Sequence, residues 1–280
     1  MQKYLRFIYP LILISALAGL SNATYLNVLG PVSAVLHNNQ SIYLGKVGPG
    51  ESFYVLASAS TTNATGFLVN IGWDRLNATN LPYGWQSQPS LLYENPMKLL
   101  VTVSPNAAYG IYNITLNAIN VGNYSKLGNI TVKAYVNVTS NVFNISASPT
   151  NIQTGPGQPE NIYVTINNTG ISDDPFSINL YGLPAWNVSY QVIALHHSSN
   201  TYVYPVYVGE PGRYSFNLTV SSAINPSAIS ISHHINLTAN ESLINDYGAV
   251  GQGVILSPVV FAPAYEFMLF LSYAYHAVFN

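Results

Sequence analysis

Apolar and polar residues alternate with a period of two along most of the chain. In "NITVKAYVNVT", Ile130, Val132, Ala134, Val136 and Val138 fall on one side, and Asn129, Thr131, Lys133, Tyr135, Asn137 and Thr139 on the other. Successive side chains of a strand point to opposite faces, so this pattern predicts a strand with one buried and one polar face. "ISISHHINLT" repeats it, with Ile229, Ile231, Ile235 and Leu237 inward and Asn236 and Thr238 outward. In the C-terminal half the strand-like runs are "VFNISAS", "NIYVTIN", "FSINLYG", "WNVSYQVI", "TYVYPVYV", "RYSFNLTV" and "AISISHHINLT". Turn signals rich in Gly, Pro, Asn and Asp separate them, including "TGPGQP", "NTGISDDP" and "GEPG". No run between Thr24 and Asn245 carries a helical period.

The pattern occurs twice. "VGPGESFYV" (Val47–Val55) matches "TGPGQPENIYV" (Thr154–Val164) with two residues inserted, "LPYGW" at Leu81 matches "LPAW" at Leu183, and "YNITL" at Tyr112 matches "FNLTV" at Phe216. "NVT" at Asn137 matches "NLT" at Asn236. The order is kept throughout, which predicts two copies of one domain. Seven short strands in about a hundred residues is the spacing of an immunoglobulin-like sandwich. The expected fold is therefore all-β: two tandem immunoglobulin-like β-sandwiches, the first over residues 24–140 with an extra N-terminal stretch, the second over 141–240. A linker follows at 241–252.

"GPGQPENIYVTINNTG", followed by "LPAW" and "GRYSFNLTV", resembles the Ig-like domains attached to alpha-galactosidases and the CARDB-type adhesion domains. Those share a Pro/Gly turn, alternating apolar residues and an Asn-Gly or Asn-Asn-Thr-Gly turn. The likeness covers Asn141–Ala239 best and Lys46–Ser140 less well. It implies a structural, adhesive or sugar-associated surface module, and it transfers no catalytic residues.

Both ends depart from the strand pattern. Residues 1–23 place Lys3 and Arg6 before the apolar Phe7–Leu20 and end in "SNA", the layout of a signal peptide with an n-region, an h-region and small residues at the cleavage site. An uncleaved membrane anchor is the alternative. Residues 253–280 are almost wholly apolar and long enough to span a bilayer. Pro258, Pro263 and Glu266 count against an uninterrupted transmembrane helix. The expectations for this segment are a membrane anchor, a segment covering a core or a partner, or a chain that continues.

Charge and cysteine narrow the setting. Only 6% of residues are charged, against roughly 25% in an average soluble protein. Without Lys3 and Arg6, six basic residues stand against ten acidic ones. So few cations exclude a nucleic-acid partner, which needs Lys and Arg to neutralise phosphates. There is no cysteine, so an exported chain of this kind is held by its core alone. Low charge also fits an acidic exterior, where carboxylates protonate and an excess of Lys and Arg would repel itself.

N-x-S/T sequons fill the polar faces. Besides Asn22, they begin at Asn39, Asn63, Asn77, Asn113, Asn123, Asn129, Asn137, Asn144, Asn167, Asn187, Asn217, Asn236 and Asn240. Roughly five would arise by chance from the composition. The competing explanation is a compositional bias toward polar β-formers. In a strand, the Asn and Thr of one sequon share a face, so a sugar there leaves the core untouched. Abundant sequons without cysteine point to an archaeal cell surface.

Candidate chemistry is sparse. Trp85 and Trp186 follow "LP" at matching positions, and serve either as an aromatic platform for sugar or as plugs at strand ends. Asp173-Asp174 sits in a turn, and a Ca²⁺ ion would need roughly six to eight oxygens around it. A solvated turn is the expectation. His196-His197 and His233-His234 are adjacent pairs. On a strand His233 faces in and His234 out, so one pair cannot chelate together, and no metal or cofactor is expected. There is no G-x-S-x-G, no H-E-x-x-H and no thiol, and nothing in the spacing of Glu94, Glu160 and Glu210 singles them out. The function expected is a non-catalytic, N-glycosylated, extracellular cell-surface protein with a structural or adhesive role, tethered to the membrane through its C-terminal segment. Its partners would be other surface proteins or glycans. A carbohydrate-binding accessory module, and a filament subunit completing a neighbour's sheet, remain as alternatives.

Overall fold

The structure is a computed structural model and describes residues 25–62, 68–121, 128–184 and 188–241. Among the described residues every regular element is a strand, nineteen in all, so the chain is all-β. No helix there is long and apolar enough to cross a membrane. The signal segment 1–23 and the apolar segment 253–280 lie outside the described residues, as does all of the 241–252 linker but Glu241. The chain divides into two compact units. One comprises Met1–Val47 with Ser52–Val138, the other Gly48–Glu51 with Thr139–Asn280.

In the first unit, β1 (Tyr25–Gly30), β2 (Ala34–His37), β4 (Ser52–Ala57), β8 (Gln86–Gln88) and β9 (Met97–Thr102) form a sheet in the order β2-β1-β4-β9-β8. A second sheet, β3-β11-β10-β7, consists of β3 (Ser41–Val47), β7 (Arg75–Thr79), β10 (Gly110–Ile119) and β11 (Ile130–Val138). A hairpin of β5 (Ser60–Thr62) and β6 (Leu68–Gly72) is added. The alternation read from the sequence is the alternation of burial. On β11, Ile130, Val132, Ala134, Val136 and Val138 are buried, while Asn129 and Lys133 are exposed. They join Leu26, Val28, Phe53, Val55, Leu99, Val101, Ile114 and Leu116 in the core residues of this unit.

In the second unit, β12 (Phe143–Ser148), β14 (Glu160–Asn168) and β17 (Ser199–Val206) make a three-stranded sheet. The other sheet runs β13-β19-β18-β15-β16, from β13 (Asn151–Thr154), β15 (Asp174–Tyr181), β16 (Tyr190–Ala194), β18 (Gly212–Ser222) and β19 (Ser230–Ala239). Ile162, Val164 and Ile166 from one sheet and Ile178, Leu218 and Val220 from the other share a single core. The rings of Phe143 and Phe176 meet across it with centroids 4.6 Å apart and planes tilted by 48°. Two sheets facing one core define a sandwich.

The two units share their wiring. β1-β4-β9 corresponds to β12-β14-β17, and β3-β11-β10-β7 to β13-β19-β18-β15. In each, one strand pairs in parallel with the last strand of its unit: β3 with β11, β13 with β19. Both are immunoglobulin-like sandwiches. The matching Gly-Pro-Gly turns close in the same way. Glu51 donates its N–H to the Gly48 carbonyl at 3.2 Å, and Gln158 donates to Gly155 at 3.1 Å. Pro at the second turn position and a Gly at φ +86° or +77° at the third are the signature of a type II turn.

Two expectations about strand content are corrected. The second unit carries a strand, β13, that the run of seven lacks. It is four residues long, abuts the Gly-Pro-Gly turn and is held by parallel pairing to β19, so it has no long alternating run to reveal it. In the first unit the N-terminal stretch is not wholly extra. It supplies β1, the counterpart of β12, while β2, β8 and the β5–β6 hairpin are the additions.

Candidate functional site

The sequon asparagines occupy the outer faces of the sheets. Asn113, Asn129, Asn144, Asn167, Asn217, Asn236 and Asn240 are exposed, and Asn39 is exposed in a turn at φ +67°. Asn137 and Asn77 are half-buried, and the Asn77 Oδ1 is closed off from solvent. Asn63, Asn123 and Asn187 lie outside the described residues. Strand parity decides between neighbours. In "NNTG", Asn167 faces out, while Asn168 is buried and spends its side chain inside.

Register brings several of these positions together. Asn113 pairs with Tyr135 across β10 and β11, and Asn137 with Ile111. Asn217 pairs with His234 across β18 and β19, and Asn236 with Ser215. The four sequons therefore sit at equivalent places in equivalent strand pairs. On the other sheet of the second unit, Asn144 and Asn167 are direct cross-strand partners. Short polar contacts bind these faces. Thr219 and Ser232 hydroxyls meet at 2.7 Å, Ser215 donates to Asn236 Oδ1 at 3.1 Å, and the His234 ring reaches Ser215 Oγ at 2.8 Å and Asn217 Oδ1 at 3.2 Å.

Tyrosines stand among them. Tyr43, Tyr54, Tyr83, Tyr93, Tyr109, Tyr163 and Tyr181 are all at least half exposed, and Tyr83 wholly so. Tyr43 and Tyr135 are register partners on β3 and β11. A loop between β8 and β9 adds the consecutive exposed residues Leu91, Leu92 and Tyr93. That loop is held by Glu94, whose Oε2 accepts N–H bonds from Leu91 and Lys98 at 3.2 and 3.3 Å.

Trp85 is not a sugar platform. Its side chain is buried at 6% exposure and packs against the Tyr112 ring at 5.4 Å, which is the strand-end plug. A buried indole offers no face to a ligand. Trp186 lies outside the described residues.

The remaining candidates separate. Asp173 and Asp174, adjacent in sequence, point apart because β15 begins there. Asp173 is exposed and takes the His196 backbone N–H at 2.8 Å and the His196 Nδ1 at 2.6 Å. Partial burial pushes its carboxyl up, but these two hydrogen bonds and the imidazole charge outweigh it and hold the group below its ordinary value. Asp174 is buried. His196 and His197 touch edge to face. His233 is half-buried and His234 exposed, on opposite faces as the strand period requires. Among the described residues no group of three metal-binding side chains forms. Glu160 opens β14, and Glu210 lends its backbone carbonyl to the Tyr214 hydroxyl at 2.9 Å.

Sequence reasoning passed over Glu51. It sits in the Gly-Pro-Gly turn, 1% exposed, and meets Asp174. The one sequence signal was the repeat itself, which has an acid here where the second copy has the amide Gln158.

No protein-family model matches the chain, and no curated protein matches it. Among solved structures it is similar to a chimeric titin Z1Z2 functionalised with an exogenous decorin peptide, at 14% identity over 79% of this chain and 99% of that one, TM-score 0.36. It is also similar to the D00-D0 domain of intimin, at 15% identity over 76% and 99%, TM-score 0.26. The Yersinia pseudotuberculosis adhesin InvE matches at 11% identity over 78% and 61%, TM-score 0.26. Likenesses of this size carry no functional argument.

Proposed function

We propose that the chain is a non-catalytic, N-glycosylated cell-envelope protein with a structural or adhesive role. The observation that carries this reading is the placement of Asn113, Asn137, Asn217 and Asn236 on outer faces, at equivalent register positions in both units. A glycan on an outward strand position leaves the core alternation undisturbed. The exposed tyrosines between the sequons supply broad, rigid, amphipathic contact area at small entropic cost, which suits contacts with other surface proteins or glycans. Export by residues 1–23 and tethering by residues 253–280 belong to the same proposal.

Glycopeptide mapping of the protein recovered from its native envelope fraction tests it. Occupancy is expected at Asn113, Asn144, Asn167, Asn217 and Asn236, with Asn77 unmodified because its amide oxygen is enclosed. Bare asparagines at all five exposed positions would overturn the reading.

A further inference from the structure

Glu51 and Asp174 are each 1% exposed, and both belong to the second unit. Each has one carboxyl oxygen satisfied. Glu51 Oε2 accepts the Gly48 N–H at 2.7 Å, and Asp174 Oδ1 accepts the Ser222 hydroxyl at 3.0 Å. The other two oxygens, Glu51 Oε1 and Asp174 Oδ2, are sealed from solvent and receive no donor from the protein around them. The two side chains are neighbours in the interior.

Among the described residues neither carboxyl forms a salt bridge. Neighbouring Asp173 turns to His196. Arg213 is exposed at the far end of β18 from Ser222, and His233, His234 and Tyr214 lie on the parts of β18 and β19 remote from Ser222. Tyr181 and Tyr190 on β15 and β16 are exposed. Two ionised carboxylates cannot stay together in a dry site. One proton shared by the two carboxyls would satisfy both orphan oxygens, because a protonated carboxyl donates and an ionised one accepts.

We infer that Glu51 and Asp174 share a single proton, and that this proton latches the Gly48–Glu51 turn in place in acid and releases it in alkali. Other contacts hold the turn as well. Pro49 accepts from Asn225 Nδ2 at 3.2 Å. Gly48 packs so closely that a Cβ there would lie 2.2 Å from Ile229 Cδ1. Burial first, and then the charge of Asp174, push the Glu51 carboxyl up to about 8 from 4.5. A folded-state value above the unfolded one means the folded chain holds the extra proton. The stabilisation is complete below the unfolded value and drains away as pH rises toward the folded one.

The second copy supplies the control. Gln158 closes the matching turn with an uncharged amide, accepting the Gly155 N–H at 3.2 Å. Glu51→Gln thus keeps the turn and removes the titration. Amide hydrogen exchange at Gly48, Gly50 and residue 51 of the full chain, corrected for intrinsic rates, is followed from pH 6 to 9, above the range in which Asp174, pushed up by burial to about 6, takes up its own proton. The wild type is expected to lose protection by about tenfold per pH unit within the window, the slope of one linked proton, while Glu51→Gln stays flat. Asp174→Asn removes the neighbouring charge but leaves the burial of Glu51, so it should shrink the loss and end it at a lower pH, and it serves where the first variant does not fold. Flat wild-type protection, an unchanged profile in either variant, or recovery at pH 8 on adding Ca²⁺ but not on acidification, would overturn the inference. The wild-type profile with Ca²⁺ and with chelator decides the matter if neither variant folds.

Discussion

Asn168→Ala is expected to destabilise the second unit by about 3 kcal/mol or more, as an unpaired buried polar group costs about 1–3 kcal/mol. Asn168 is 2% exposed at the end of β14. Its Nδ2 donates to the Ser172 carbonyl at 2.9 Å and the Ala194 carbonyl at 3.0 Å, and its Oδ1 accepts the Gly170 N–H at 2.9 Å. One side chain therefore ties β14 to the loop before β15 and to the end of β16. Alanine strands two carbonyls and an amide at once. Asn168→Asp should be worse at neutral pH, since it sets a carboxylate against two carbonyl oxygens, and should recover in part on acidification, when an O–H donor returns. Exchange of the β14 and β15 amides under global-opening conditions reads the loss. A change below about 1 kcal/mol, within reach of an ordinary surface substitution, would contradict it.

The second large effect is expected at Phe176→Ala, at about 3–5 kcal/mol, the range for a buried Phe truncated to a cavity. Phe176 is fully buried and Phe143, on the facing sheet, nearly so. Their tilted contact links the sheets, so the void opens where the layers join and cannot be filled by movement of one strand. Phe176→Leu should cost far less, since most of the volume remains. A double-mutant cycle with Phe143→Ala measures what the two rings share. Strict additivity would show that the ring pair contributes nothing beyond its separate burial.

Much of the architecture is readable from residue order because it rests on a local rule. Ile130 to Val138 declare their faces by parity, and the same parity assigns Asn167 to solvent and Asn168 to the core. The repeat is legible because "YNITL" and "FNLTV" hold equivalent pairings, Ile114 with Ala134 and Leu218 with His233. What escapes is whatever depends on partners distant in sequence. The four residues of β13 have no pattern of their own and become a strand only through β19. Asp174 reads as part of a solvated turn in "GISDDPF". It is buried because β15 starts at that residue and because Glu51, far earlier in the chain, closes over it. Trp85 illustrates a third limit. An indole after "LP" suits a platform and a plug equally well, and only the position of Tyr112 separates them.

The parallel pairing of β13 with β19 has a consequence for how the second unit comes into being. Asn151 and Asn236, 85 residues apart, are partners there. That pairing waits until nearly the whole unit has been synthesised, and sandwiches with such distant contacts fold over milliseconds to seconds, slowly on the scale of small domains. During that interval Asn236 and its neighbours on β19 are still unpaired and pliant. A modifying enzyme that needs a bendable acceptor has its opportunity then, before the sheet is zipped shut.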